Sequence, residues 1–180
     1  MSGIAGYLGA PHPPAVLRAM TGKMMHRGSD ALYHEEAPVF MGVRQFAGPA
    51  GMDSDRAFID GDRELAIVFA GEFYNSPEER DTLVKKGVRF TGDSVAEVIL
   101  RAYEVYGVGC VNRMRGSFAF AIHDQRKDLV FIARVPLGAK PLYYATTQSG
   151  TFVFASEIKA LFEHPGLQAE PDLRGIDMYL

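Results

Sequence analysis

The chain combines short apolar runs with longer stretches in which apolar residues recur at helical spacing. Short apolar runs bounded by glycine, proline or polar residues predict β-strands. These runs lie at residues 2–8, 39–46, 64–69, 117–122, 129–133, 142–145 and 151–154. Several of them lack alternating polar positions, which is typical of sheets that are covered on both faces.

Helical spacing predicts four helices, at residues 13–25, 77–86, 95–106 and 157–162. Asp93 or Ser94 is expected to cap the third helix, and Ser156 the fourth. The strand at residues 64–69 is expected to run into a turn at Gly71. Helices together with antiparallel hairpins in a single domain indicate an α+β fold.

The bulk composition narrows the classes of protein. With 180 residues and 47% hydrophobic content, the chain suits one domain with a sizeable core. Its net charge of −3 gives no sign of a nucleic-acid or anionic-membrane partner. No apolar run approaches the ~18 residues that a membrane span needs. No secretory signal is visible, so a cytoplasmic location is expected.

The cysteine and histidine positions predict neither a disulfide nor a metal centre. Cys110 is the single cysteine, and its apolar neighbours indicate a buried small side chain. Four scattered histidines show no metal-ligand spacing; they are His12, His34, His123 and His164. We therefore expect no metal and no cofactor in this chain.

Ser2 is the first candidate for chemistry. A small residue after the initiator lets Met1 be removed, which would leave Ser2 at the amino terminus. An N-terminal serine can act as a nucleophile because its own α-amine takes the hydroxyl proton. An unperturbed α-amine titrates near pH ~7.7–8.0, so much of it is free base at neutral pH. Ser2 is either such a nucleophile or an inert residue where a nucleophile was lost.

Short motifs spread along the chain resemble those of a known family. Residues 2–8 resemble a Cys-Gly-Ile-Ala-Gly opening, residues 25–30 a His-Arg-Gly-Pro-Asp motif, and residues 71–75 an Asn-Gly-Glu-Ile-Tyr-Asn motif. Further matches follow in the expected order at residues 97–100, 115–122, 133–134, 137–144 and 154–161. Together they resemble class II glutamine amidotransferases, and more closely the N-terminal glutaminase domain of glutamine-using asparagine synthetases. The resemblance implies a four-layer αββα N-terminal-nucleophile hydrolase sandwich of two antiparallel sheets.

The resemblance also assigns site positions, and most of them have lost the family's chemistry. Ser2 stands in the place of the catalytic cysteine. Ala70 stands where the family has an oxyanion-binding asparagine, which leaves only backbone donors around Gly71. Gln45 falls on the position of the carboxylate-binding arginine, because Arg44 lies one residue earlier and points to the opposite face of its strand.

The family's ligand-binding side chains are also largely replaced. Val95 stands where the family has an ammonium-binding aspartate, so only Glu72 is retained. Arg27 belongs to the glutamine-covering loop, where it either contacts a ligand or braces the loop. Its fork of donors in a fixed turn favours bracing. These losses predict glutaminase activity that is lower by several orders of magnitude.

We interpret the chain as a degenerate glutamine amidotransferase domain with lost or much reduced glutaminase activity. It would be accessory to an ATP-dependent, asparagine synthetase-like partner in the same polypeptide or in another. Two alternatives stay open: Ser2 attacks an amide other than glutamine, or the chain is a glutaminase that supplies ammonia. Whether the chain is an enzyme therefore depends on Ser2.

Domain borders and partners follow from the same resemblance. Residues 1–163 are predicted to form the amidotransferase-like domain, and residues 164–180 to resemble the link into a synthetase domain that is missing here. Residues 140–144 are expected to lie at the contact with that domain. A small amide or amino-acid ligand and a homo-oligomer are both compatible with the sequence.

Overall fold

The computed structural model describes residues 2–9, 12–45 and 57–179. These residues form two antiparallel sheets. The first consists of β1 (Gly3–Leu8), β2 (Asp30–Glu36), β3 (Val39–Gln45), β8 (Tyr143–Thr146) and β9 (Phe152–Ala155), in the spatial order β2-β3-β1-β9-β8. The second consists of β4 (Ala57–Asp60), β5 (Leu65–Phe73), β6 (Gly116–Asp124) and β7 (Leu129–Arg134), in the order β4-β5-β6-β7.

Helices cover the outer faces of both sheets. Helices α1 (Pro14–Gly22) and α4 (Ile158–Leu161) pack on the five-stranded sheet through an apolar cluster that includes Leu17, Met20 and Leu161. Helices α2 (Ser76–Lys85) and α3 (Val95–Tyr106) pack on the four-stranded sheet through a second cluster. A last helix, α5 (Leu173–Tyr179), follows near the end of the chain.

The inner faces of the two sheets pack directly on each other. The apolar layer between them contains Ile4, Met41 and Val43 from one sheet and alternate small residues of β5 and β6 from the other; these are Ala66, Val68, Ala70, Ala119 and Ala121. Small side chains let the two sheets approach closely. The predicted αββα order of layers is therefore confirmed.

Most predicted strands are shifted by one or two residues at their ends, and two differences concern the site. Strand β5 continues to Phe73, so Gly71 lies inside a strand and not in the turn that we expected. Its φ of +126° is tolerated because glycine has no Cβ, which here would clash with the carbonyl oxygen of Ser117. Strand β3 ends at Gln45, and Phe46, which the prediction included, lies outside the described residues.

The sequence prediction missed β2 and β4. Strand β2 is largely polar because it forms the edge of the five-stranded sheet, where one side of the strand meets solvent. Strand β4 is only four residues long and forms the edge of the other sheet. Strand β2 lacks the apolar run by which the buried strands are recognised, and the apolar run of β4 is only three residues long.

The helix caps are partly as predicted. The hydroxyl of Ser94 accepts a hydrogen bond from the Glu97 amide at 3.4 Å, so Ser94 and not Asp93 caps α3. The prediction for Ser156 is wrong, since its Oγ accepts from the Ile4 amide at 3.0 Å and α4 begins only at Ile158. Ser156 thereby joins the segment before α4 to β1.

Several buried groups are arranged in ways that the sequence reveals only partly. Cys110 is fully buried, as predicted, and burial raises the pKa of its thiol to about 11.

His34 of β2 and His123 of β6 face each other across the inter-sheet layer, with Nε2 and Nδ1 2.9 Å apart. Burial lowers the pKa of both rings, so the pair is held neutral. Among the described residues, no cluster of potential ligands could hold a metal ion.

The segment after α4 starts buried and becomes exposed. The ring of His164 is fully buried and packs edge-on against His12 and Tyr7. Helix α5, by contrast, exposes apolar side chains, including Met178 and Tyr179. Nowhere in the part of the chain that the structure describes is a helix long and apolar enough to span a bilayer.

A buried ion network fastens α3 to the four-stranded sheet. The Arg101 guanidinium is almost fully buried and donates to Asp60 at 2.7 Å, Glu104 at 2.9 Å and Glu97 at 3.2 Å. The Glu97 carboxylate also accepts from the amides of Thr91 and Gly92. This network holds the start of α3 and the loop before it in place.

We expect Arg101→Met to lower the free energy of unfolding by about 3 kcal/mol, because the buried Glu97 carboxylate would lose its counter-charge and keep only its hydrogen bonds from residues 91 and 92. Urea denaturation measures this loss. Arg18→Met is the matched control, since Arg18 forms an exposed ion pair with Glu35 and should lose less than ~1 kcal/mol. Equal losses in the two variants would show that the buried network does not stabilise the fold.

Candidate active site

The site begins with a contact between the two sheets. The backbone N–H of Gly71 on β5 donates to Ser2 Oγ, just before β1, at 3.3 Å, and Ser2 is almost fully buried. Gly71 can direct its amide this way because of its positive φ. The structure therefore brings together the predicted nucleophile position and the predicted backbone donor.

Strand alternation places two further predicted residues beside Ser2. Gly3 pairs with Arg44, and Ile4 pairs with Val43, whose side chain belongs to the inter-sheet layer. Successive side chains of a strand point to opposite faces. Ser2 and Gln45, one residue beyond this pairing, consequently share the inner face of the sheet. Ala70 contributes to the same layer from β5.

Gln45 is a buried amide with an unused acceptor. The residue is 7% exposed, and its Oε1 has no hydrogen-bond partner among the described residues. A buried acceptor left without a donor costs about 1–3 kcal/mol. Such a cost is tolerated most readily at a position that a ligand can satisfy.

Arg44 does not supply a positive charge at the position of Gln45. Its Nε donates to the carbonyl of Thr21 at 3.2 Å, and its Nη1 donates to the carbonyl of Ser29 at 2.8 Å. Both carbonyls lie on the outer side of the sheet, beside α1 and the segment that follows it. The prediction that Arg44 points away from the face of Gln45 is confirmed.

The two remaining predicted ligand-binding positions, Glu72 and Val95, lie on different elements and in different environments. Glu72 follows Gly71 on β5 and is exposed; by alternation it shares the face of Ala70. Val95 is the first residue of α3 and packs against the apolar cluster between that helix and the four-stranded sheet. The contacts and strand register thus bring together Ser2, Gln45, Ala70 and Gly71, with Glu72 at the rim.

A short segment after α1 covers the ends of β1 and β3. Residues 25–27 form a 3-10 turn, and the Cα of Gly28 lies so close to the Gln45 backbone that a Cβ would clash with it. The Arg27 side chain packs on Gly3, where an added Cβ would lie 2.6 Å from Arg27 Cδ. Arg27 therefore lies on the outer face of β1, opposite to the side chain of Ser2.

Glu157 binds the side chains of this covering segment and holds it in place. The sequence alone did not indicate this role. Arg27 Nε donates to Glu157 Oε1, His26 Nε2 lies 2.6 Å from the same oxygen, and Lys159 Nζ lies 3.1 Å from Oε2. Glu157 falls within one of the recognised motifs, but its partner Arg27 is 130 residues away, so spacing gives no sign of the pair.

The electrostatics of Glu157 show that the contact is strong. Burial alone would raise the pKa of its carboxyl group. The hydrogen bonds from Arg27, Lys159 and His26 outweigh that effect and lower the pKa from 4.5 to about 2. The carboxylate is therefore charged across the physiological range and holds residues 26 and 27 against the start of α4.

The depressed pKa predicts a specific dependence of stability on pH. The contribution of Glu157 is fully present above its unfolded pKa of 4.5 and is lost as the pH falls through about 2. We expect Glu157→Gln to cost about 2 kcal/mol at pH 7, and the difference from the native chain to shrink across that acidic window. Urea denaturation at a series of pH values measures both effects.

Glu163→Gln is the matched control for this prediction. Glu163 forms a more exposed ion pair with Lys23 at 3.0 Å, so its loss should cost less than ~1 kcal/mol. A Glu157→Gln cost that does not change between pH 7 and the acidic window would contradict the assignment.

Comparison with known proteins adds independent information. A family model described as a glutamine amidotransferase domain matches residues 1–180. Glutamine-hydrolysing asparagine synthetase 2 of Bacillus subtilis is 33% identical over 172 residues, which are 92% of this chain and 23% of that protein. Glutamine-hydrolysing asparagine synthetase 3 of the same organism is 40% identical over 110 residues, which are 61% of this chain and 18% of that protein.

A solved structure supports the fold. The glutamine phosphoribosylpyrophosphate amidotransferase of B. subtilis superposes with a TM-score of 0.71 at 17% sequence identity, covering 88% of this chain and 42% of that one. At this identity the likeness shows the fold alone. This chain spans only about a fifth of the length of the two synthetases that it matches.

Proposed function

Because this chain belongs to the glutamine amidotransferase domain family, we propose that it is a degenerate member whose glutaminase activity is lost or much reduced. The observation that carries the proposal is that uncharged side chains lie beside Ser2 on the inner faces of the two sheets. Gln45 and Ala70 lie there, at positions where the resemblance calls for an arginine and an asparagine. The scaffold is kept while the groups that recognise free glutamine are replaced.

Free glutamine is a zwitterion, and its carboxylate needs a cation. Two arginines close to the described part of the site are already engaged: Arg44 donates to backbone carbonyls on the outer face, and Arg27 donates to Glu157. Gln45 offers no charge. A charge-assisted contact contributes about 1.5–3 kcal/mol, so its absence weakens the binding of substrate.

The oxyanion site is reduced to its backbone component. The Gly71 N–H remains directed at Ser2, but Ala70 supplies no side-chain donor. Removal of one oxyanion donor lowers the rate by about 10²–10³-fold in a well-studied hydrolase. Serine in place of a thiol lowers the reactivity further, because less of it is ionised at neutral pH.

The direct test is ammonia release from L-glutamine by the purified native chain. We expect a rate at least about 10³-fold below that of a glutamine-hydrolysing relative measured in parallel. Ser2→Cys alone should restore little, whereas Ser2→Cys combined with Gln45→Arg and Ala70→Asn should restore substantially more. Rapid ammonia release by the native chain would refute the proposal, as would full restoration by Ser2→Cys alone.

We further propose that the domain is accessory to an ATP-dependent, asparagine synthetase-like partner. The two B. subtilis relatives support this, since their names state glutamine-hydrolysing asparagine synthetases and most of their length lies beyond the matched part. The surface adds support: Leu137 and Tyr144 are largely exposed, within and beside residues 140–144, where the sequence predicts a contact with a further domain.

Purification of the natural protein from its own organism tests the accessory role. We expect synthetase sequences in the same polypeptide or in a stoichiometric co-purifying protein. Leu137→Asp should weaken that association if the partner is separate, whereas Tyr74→Asp, at an exposed aromatic residue beyond the end of β5, should not. A natural polypeptide that ends after this domain and co-purifies with nothing would contradict the role.

One observation favours a second candidate function. Ser2 Oγ already lies 3.3 Å from the Gly71 N–H, so a serine nucleophile and one oxyanion donor are aligned. Ser2 would then act as an N-terminal nucleophile on an amide without free amino-acid charges. Intact mass of the natural protein distinguishes the candidates first, because a retained Met1 would block the α-amine that the reaction needs.

A further inference from the structure

The buried amide of Gln45 points to the class of ligand that this site takes. Its Oε1 is shielded from solvent, has no donor among the described residues, and belongs to a side chain on the inner face beside Ser2. An oxygen in this state is complementary to one chemical group, an N–H or O–H of a ligand. It is repelled by a carboxylate, which offers only acceptors.

Two other groups of the site could bind the remaining polar groups of such a ligand. The Gly71 N–H, next to Ser2 Oγ, can donate to the oxygen of a side-chain carboxamide. Glu72, at the exposed rim of the same face, can accept from an amino group or from an amide N–H. Gln45 would then face the substituent on the other side of the α-carbon, where free glutamine carries its carboxylate.

We propose that the site binds a glutaminyl unit whose α-carboxyl group is in an amide linkage, as in a peptide, and that it discriminates against free glutamine. This inference rests on the proposed loss of activity toward free glutamine and names the ligand that replaces it. The α-amide N–H donates to Gln45 Oε1, and the side-chain carboxamide lies at Ser2 and Gly71.

The selectivity follows from the cost of unpaired groups. An α-carboxylate placed against Gln45 would lose its hydration and face a second acceptor. Within residues 2–9, 12–45 and 57–179, the neighbouring cations Arg44 and Arg27 are held by other partners. Sites that hydrogen-bond a ligand N–H reject analogues that lack it, because the buried partner stays unsatisfied. Gln45 is therefore a specificity-determining residue.

The test is calorimetric titration of the native chain with L-glutaminamide and with L-glutamine, which differ only at the α-carboxyl group. We expect L-glutaminamide to bind at least tenfold more tightly, and glutaminyl-glycine to show the same preference. Gln45→Arg should reverse the preference toward L-glutamine. Gln45→Met, which keeps the size of the side chain and removes the acceptor, should weaken the binding of L-glutaminamide by about tenfold and leave the weak binding of L-glutamine unchanged, as expected when one hydrogen bond is lost.

Gln148→Arg is the matched control. It makes the same substitution at an exposed turn between β8 and β9, so it should keep the native preference. Thermal melting shows whether Gln45→Arg is folded, and Gln45→Met provides the second variant if it is not.

The possible outcomes separate this inference from the proposed function. Equal or tighter binding of L-glutamine by the native chain overturns the inference, and so does the absence of binding of either amide at millimolar concentration. If the chain also releases no ammonia from L-glutamine, the proposed loss of glutaminase activity still stands. Rapid ammonia release from L-glutamine overturns the proposed function itself.

Discussion

The close packing of two sheets through an apolar inner layer is the constraint on which the rest of the structure depends. Small residues of β5 and β6 face Ile4, Met41 and Val43, and this register fixes which side chains point inward. At one end of the layer the apolar pattern stops, and Ser2 and Gln45 occupy the inward positions. The site is therefore a direct continuation of the core, with its polar groups held by the same strand alternation.

The backbone N–H of Gly71 connects the packing of the two sheets to the candidate active site. An ordinary strand would donate its amide within the sheet, but the positive φ of Gly71 directs the N–H across to Ser2 Oγ. The arginine and glutamate contacts on the other side of the sheet are equally fixed, since Arg27 is held by Glu157 and Arg44 by backbone carbonyls. The contact between Ser2 and the Gly71 N–H is kept, whereas the described positions beside it, Gln45 and Ala70, carry no charge.

Sequence patterns are sufficient for the parts of the fold that bury apolar runs. The buried strands, α1, α2, α3 and the order of the layers follow from apolar spacing and from the resemblance. Edge strand β2 could not be predicted in this way, because its polar residues meet solvent and leave no apolar signal. The extension of β5 through Gly71 depends on its contact with Ser117, which only the paired strand supplies.

The site residues could be predicted from the sequence where strand alternation or the resemblance fixes their positions. Strand alternation and the resemblance place Ser2 and Gln45 on the inner face of one sheet and Ala70 on the facing sheet, whereas the role of Glu157 depends on partners far away in the chain. A crystal structure of the native chain grown with L-glutamine tests directly whether the site holds free glutamine. We expect no ordered glutamine at Ser2, with Arg44 and Arg27 still on their present partners. A glutamine bound at Ser2 with its carboxylate paired to either arginine would contradict this expectation.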